Sequence, residues 1–511
     1  MRLLLLAALI LSAGAAGAAD APQLFRQHCA ACHGADRLGG SGPALLPESL
    51  ERLKPGEALK TLAQGRVATR MPGFVDKLSA DELQALADYL YTPLPQAPTW
   101  GEAEIRASRI ELHAPGSLPD QPAFAADMLN LFIVVESGDH HATLLDGDSF
   151  EPIKRFPTRF ALHGGPKFSP DGRYVYFASR DGWVSKFDIW NLQYVAEIRT
   201  GINTRNIAVS GDGRYVMAAN YLPHTLVLLD AADLSLLKTI AVADVDGHSS
   251  RVSAVYDAAP RKSFVVALKD VPELWEVSYD DHALPVYPGL VHDYQTAEAL
   301  PLPGKFNPRR IRLETVLDDF FFDRSYAYLI GAAREGRGQV VNLDMGRKIA
   351  DLPLSGMPHL GSGITWQWQG REVLATPNLK DGVITVIDMQ NWQVVKQIKT
   401  PGPGFFMRSH DNTRYAWTDV FNGAAKDTLQ LIDKQTLEVA ASVTPSPGKT
   451  AAHVEFTRDG RYALVSVWEN DGALVVYDAQ TLHEVKRLPM SKPSGKYNVY
   501  NKITRSSGTS H

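Results

Sequence analysis

Cysteine is nearly absent: the 511 residues include two, Cys29 and Cys32, three positions apart. A disulfide framework is therefore excluded. A surplus of one charge is missing too. Lys+Arg number 52 against 57 Asp+Glu, a formal net charge of −5, which gives no bulk electrostatic reason to bind nucleic acid or an anionic membrane. Past the N-terminus no stretch reaches ~18 apolar residues without a charge, so no later membrane span is expected. At 45% hydrophobic and 21% charged, the composition excludes collagen, a coiled coil and a mainly disordered chain. The 40 Gly and 32 Pro are spread along the chain, favouring many turns and short strands.

Residues 1–19 read as a leader. Arg2 supplies the positive start, Leu3 to Leu11 the apolar stretch, and Ala16-Gly17-Ala18-Ala19 the small-residue cleavage site. A membrane anchor is the alternative, but this apolar stretch is too short for ~30 Å of hydrocarbon. Export to a Gram-negative periplasm is the expectation.

His28-Cys29-Ala30-Ala31-Cys32-His33 follows directly. This C-x-x-C-H spacing suits covalent attachment of a c-type haem, because two thiols meet two vinyl groups while the adjacent His33 reaches the iron. A thioredoxin-like pair would need a βαβ pattern, and a zinc site a second cysteine pair. Neither is present. Around the motif the sequence predicts a small all-α domain over 20–95, with a loop at Gly39–Pro43 and helices over Glu57–Gly65 and Ser79–Tyr91. Ser79 and Glu82 form a capping box. The segment resembles class I cytochromes c, and the resemblance makes Met71 the sixth iron ligand, a pairing that raises the haem potential. Met71 as core filler is the alternative. A Pro-rich linker, 96–106, is expected next.

From 107 to 505 the texture is repetitive. Apolar runs end in an acid at Asp146, Asp188, Asp230, Glu276, Asp344, Asp388, Asp433 and Asp478, at intervals of 42, 42, 46, 68, 44, 45 and 45 residues. Asp171-Gly172-Arg173-Tyr174, Asp212-Gly213-Arg214-Tyr215 and Asp459-Gly460-Arg461-Tyr462 stand midway in their repeats. A period of ~40–45 residues with several strands per unit predicts an all-β propeller. Eight markers give eight blades; Glu276 is the weakest, leaving seven as the alternative. The long interval holds an insertion, Tyr279 to Arg310, expected as a loop at one mouth of the channel.

The propeller resembles the haem d1 domain shared by cytochrome cd1 nitrite reductase and its maturation relative, the dihydro-haem d1 dehydrogenase. The resemblance rests on Ala161-Leu162-His163-Gly164-Gly165, Ser179-Arg180-Asp181-Gly182, Ile202-Asn203-Thr204-Arg205, Asn220-Tyr221-Leu222-Pro223, Pro358-His359, Ser466-Val467-Trp468-Glu469 and Gly495–Asn501. It implies His163 as proximal ligand to the d1 iron. It implies Arg180 and Arg205 as holders of tetrapyrrole carboxylates, which suit guanidinium forks, and Tyr221 and Trp468 as pocket aromatics.

Departures from the family pattern bear on activity. Nitrite reduction uses two distal histidines. The second matches His359, but the first falls near Leu317-Asp318-Asp319, which has none. His410, in Arg408-Ser409-His410-Asp411, is placed as a distal iron ligand or base beside His359. His453, His140 and His141 are weaker candidates. The resemblance thus implies an oxidoreductase that converts a propionate of dihydro-haem d1 to acrylate and passes electrons to the covalent c haem. It implies a tetrapyrrole substrate, an electron acceptor, and transient partners in a d1-binding maturation factor and a nitrite reductase. A nitrite reductase with a rearranged distal side and a non-catalytic d1 carrier are the alternatives. A quinoprotein propeller would require Trp-docking repeats and calcium ligands, which are not found.

Overall fold

The computed structural model describes residues 20–504 except 41, 51–52, 66–70, 97, 288–299 and 334. The expected leader, 1–19, lies outside the described residues. Two compact units divide at Pro95 and Gln96. No described helix is long and apolar enough to cross a membrane.

The first unit contains helices α1 (Ala21–His28), α2 (Ala30–His33), α3 (Pro55–Gln64) and α4 (Ala80–Leu90). Each start has a physical cause. Asp20 accepts the Gln23 N–H at the head of α1, and Pro55 opens α3, where a missing N–H costs nothing. The Ser79–Glu82 box forms at α4, with Glu82 N–H donating to Ser79 Oγ at 3.3 Å. Phe25, Leu62, Phe74, Leu83, Leu86 and Leu90 bury their side chains around Cys29. Each is worth ~1.5–3 kcal/mol of transfer free energy, and Leu86→Ala would cost ~2–5 kcal/mol.

The second unit is an eight-bladed propeller of antiparallel sheets. Its innermost strands are Lys167–Phe168, Asn203–Val209, Val252–Ala258, Asp319–Phe322, Ile364–Trp368, Met407–Arg408, Ala451–Phe456 and Pro493–Asn498. The last of these is C-terminal and pairs with the N-terminal strand Leu131–Glu136, Ile133 opposite Tyr497, so one blade is closed by both ends of the unit. Both faces of a middle strand are covered by neighbouring blades. This makes Leu226-Val227-Leu228-Leu229 a continuous, fully buried run. Residues expected as linker partly join this unit: Glu102–Ala107 is a helix with Ile105 fully buried, and Ile110–Glu111 adds a fifth, outer strand to the second blade.

The repeating acid has a structural explanation. It closes the third strand of its blade, Asp344 alone following two residues after Arg337–Asn342, and at most of these turns its carboxylate accepts a backbone N–H two residues on: Asp146 from Asp148, Asp230 from Ala232, Asp388 from Gln390, Asp433 from Gln435. The residue four positions on then turns left-handed, as at Phe150, Leu192, Leu234, Trp392, Leu437 and Leu482. Glu276 instead lies inside Glu273–Ser278, paired with Arg261 and Arg309. It still marks a third strand, so the count is eight. The insertion joins the third strand of that blade, Glu273–Ser278, to the fourth, Pro308–Arg312; its middle, 288–299, lies outside the described residues, so the expected placement at a channel mouth falls there too. Here the upper face is the one where innermost strands begin.

Candidate active site

In the helical unit the motif spans α1, Cys29 and α2. Cys29 is buried and Cys32 exposed, and burial pushes the Cys29 thiol up to about 11, Cys32 adding to it. His33 is 7% exposed. Its Nδ1 lies 2.8 Å from the Pro43 carbonyl oxygen. A carbonyl only accepts, so Nδ1 carries the proton and Nε2 is left with the lone pair. Burial lowers the His33 pKa, against the Pro43 bond, and keeps the ring neutral. At Gly42 a Cβ would lie 2.8 Å from His33 Cε1, so glycine is what lets the loop pass the ring. Two thiols and a neutral imidazole with a fixed tautomer fit a c-type haem. Met71 is half-buried against the core. Its backbone is clamped to the end of α3, since a Cβ on Gly65 would meet Met71 O at 2.7 Å.

In the propeller the upper ends of the innermost strands gather a second constellation. The backbone N–H of His163 donates to Ala178 O, and that of Arg180 to Ala161 O, setting the two residues side by side. His163 Nδ1 lies 2.7 Å from Arg205 O, which again fixes the Nδ1–H tautomer, and its Nε2 accepts from Arg205 Nη1 at 2.6 Å. Arg205 Nε donates to Ser253 O. Burial opposes the Arg205 charge, but Tyr221, Asp318 and Asp319 outweigh it. Tyr221 is buried, with Arg251 and Lys269 over its ring at 5.5 and 5.6 Å.

Across the channel His359 repeats the device: Nδ1 is 2.8 Å from Phe405 O. Burial holds its pKa below the usual histidine value; Asp319 and the Phe405 carbonyl oppose this and Arg205 reinforces it. Its loop is pinned by Asp319, which accepts from Gly361 N at 3.0 Å and from Tyr256 O–H at 2.7 Å. Asp318 pairs with Lys269 at 2.9 Å. Carboxylates therefore occupy the strand end where a second distal histidine would stand. The Phe405 and Phe406 rings lie 4.4 and 6.1 Å from His359, and Trp468 is 6.2 Å from Phe406 and 5.1 Å from Phe421. Trp468 Nε1 is a buried donor without an acceptor among the described residues.

The structure brings His163, Arg180, Arg205, Tyr221, His359 and Trp468 to this face. It separates His410 from them. His410 follows Met407–Arg408, at the lower end of its strand, and is 3% exposed. Its Nε2 is 3.1 Å from Arg458 O, and its Nδ1 accepts the Asn412 N–H. Burial in that turn, with both ring nitrogens engaged, replaces the expected distal placement. His453 shares the Phe406 ring with His359, lying 4.8 Å from Phe406 and 5.2 Å from Tyr497. It sits at φ +53 on a β-bulge between Ala452 and Val454, a strained backbone of the kind found at functional sites. Burial, with Lys496, Arg408 and Lys502, drives its pKa well down. A bulge is invisible in the repeat pattern, which is why the sequence ranked His453 low. His140, in the turn before the strand His141–Asp146, packs against Phe160, and His141 opens that strand beside Asp139.

Known proteins resemble this chain over both of its units. The model of the cytochrome D1 heme domain matches residues 126–502, and that of cbb3-type cytochrome c oxidase subunit III matches 16–90. The chain is 60% identical to the dihydro-heme d1 dehydrogenase of Pseudomonas aeruginosa, covering 100% of both. It is 24% identical to a nitrite reductase of Stutzerimonas stutzeri, over 94% of this chain and 92% of that one. A solved structure of dihydro-heme d1 dehydrogenase NirN in complex with DHE superimposes with a TM-score of 0.88 at 60% identity, covering 94% of this chain and 99% of that one. The chain belongs to the cytochrome d1 haem domain family, carrying a cytochrome c-type domain ahead of an eight-bladed propeller.

Proposed function

We propose that this chain is a periplasmic oxidoreductase of haem d1 biosynthesis, which oxidises a propionate side chain of dihydro-haem d1 to acrylate. One observation carries the reading: His163 and His359 stand on the same face of the propeller, each locked with Nδ1 on a backbone carbonyl, so both present a basic Nε2. His163 then serves the tetrapyrrole iron, displacing Arg205 Nη1 toward a carboxylate. Arg180 and Arg205 hold carboxylates as charged forks, and the Trp468 indole N–H supplies a further donor.

The conversion of –CH2–CH2– to –CH=CH– releases two protons and two electrons. His359 takes a proton at Nε2, and its depressed pKa keeps it in the accepting form near neutral pH. His453, on the same aromatic wall, is also neutral and is the second candidate base. Phe405, Phe406 and Trp468 exclude water from that wall. Cys29, Cys32, His33 and Met71 would hold a c haem, which when bound would supply a one-electron acceptor for the two electrons. An external acceptor then takes them, and a d1-binding maturation factor and nitrite reductase act before and after this step.

The test is an air-free spectrum of the haem c-loaded chain with added dihydro-haem d1. Conversion to the haem d1 spectrum with reduction of the c haem is expected. Binding without conversion makes the chain a carrier, and nitrite-dependent reoxidation makes it a reductase.

A further inference from the structure

The propeller also encloses basic groups that the proposed reaction does not use. Lys167, Arg408, Lys496 and Lys502 lie enclosed in it, each held below its usual pKa by burial, Lys167 at about 7. Two nearby carboxylates are already engaged. Asp419 accepts the backbone N–H groups of Phe405, Phe406 and His453. Glu455 accepts from Phe456 N at 2.8 Å and Asn501 Nδ2 at 3.1 Å.

Arg408 ends the short innermost strand of its blade and is 8% exposed. Its Nη2 is buried with no hydrogen-bond partner among the described residues. A guanidinium stays ionised in proteins, and a buried charge without a partner is costly. Beside it, between the lower turns of neighbouring blades, opens a cavity of about 430 Å³ that Arg408, His410, Lys434, Glu455 and Asn501 help to line. That volume is in the range of small-molecule sites. Asp323 and Asp411 also line it; Asp411 is exposed, and Asp323 is bound to its own turn through Tyr328 N.

We propose that this cavity binds a small oxyanion or carboxylate against the guanidinium of Arg408. Such an anion completes the donor at Nη2 with a charge-assisted hydrogen bond. Two sources share this chemistry: a free anion entering from the lower face, or a carboxylate arm of a tetrapyrrole bound above.

The test uses the full-length chain with haem c attached and no tetrapyrrole. Sodium sulfate and, separately, sodium acetate are titrated by calorimetry at fixed ionic strength. Saturable binding at one site per chain is expected, weakened about tenfold or more in Arg408→Met through loss of a charged hydrogen bond. Glu455→Gln removes a competing carboxylate and tightens binding, which keeps the proposal testable should Arg408→Met misfold. No saturable binding of either salt, or equal affinity in Arg408→Met, overturns it. A repeat with dihydro-haem d1 bound assigns the source: binding that persists belongs to a free anion, and binding that is lost belongs to a tetrapyrrole carboxylate. The first titration is independent of the dehydrogenase reading, so its failure leaves that reading standing.

Discussion

The two units build their sites in opposite ways. In the helical unit two thiols and an imidazole lie within five residues, and Pro43, ten residues on, fixes the tautomer. In the propeller the same tautomer device appears twice, but its carbonyls come from a neighbouring blade, 42 residues from His163 and 46 from His359. A local site survives as long as one turn forms. A dispersed one exists only when the ring of blades closes. The difference teaches where a substitution acts: on a single covalent attachment in the first unit, and on separable binding and chemistry in the second.

The largest effect should come from the local site. Changing Cys29 and Cys32 together to Ala removes both thioether bonds, so covalent haem should be lost entirely. A denaturing gel stained for haem checks this, and residual stain would mean that attachment is not confined to the motif.

Next comes His359→Ala, which should slow acrylate formation by ~10²–10⁴-fold, the usual cost of a positioned base, with precursor affinity changed far less. In the unaltered chain the acid limb of kcat should fall below the ordinary histidine value of ~6.5. The sign follows from burial: it disfavours the imidazolium, so Nε2 remains an acceptor until the pH drops further. A limb at or above that value would give the base role to another group, His453 first.

His163→Ala should act on binding instead. Removing an iron ligand should shift the bands of the bound tetrapyrrole and weaken its titration, while the c haem bands stay unchanged, because Cys29, Cys32 and His33 belong to the other unit. Equal titrations for variant and parent would remove His163 from the site.

The smallest effect on turnover is expected at His410. Its ring bonds join its own lower turn to that of Arg458, and a Cβ on Gly460 would sit 2.2 Å from its Nδ1. His410→Ala should lower stability by ~1–3 kcal/mol, the cost of leaving buried partners unsatisfied, and leave the rate of acrylate formation near that of the parent. Thermal melts and single-turnover rates together decide. A large rate loss at unchanged stability would return His410 to the chemistry.

The sequence by itself determined whatever depends on neighbours along the chain. The spacing of Cys29, Cys32 and His33, the Ser79–Glu82 cap and the acid recurring at each blade are legible along the chain, and from them followed a cytochrome-type domain and eight blades. Resemblance supplied His163, Arg180, Arg205 and His359. Tertiary structure alone decided which end of an innermost strand a histidine occupies. His410 and His453 both lie near blade starts, yet one caps a lower turn and the other stands on a bulge beside Phe406. A bulge shifts register by one residue and turns a side chain to the other face of its strand. No periodicity records that shift, because it is fixed by what the neighbouring blades present to the strand.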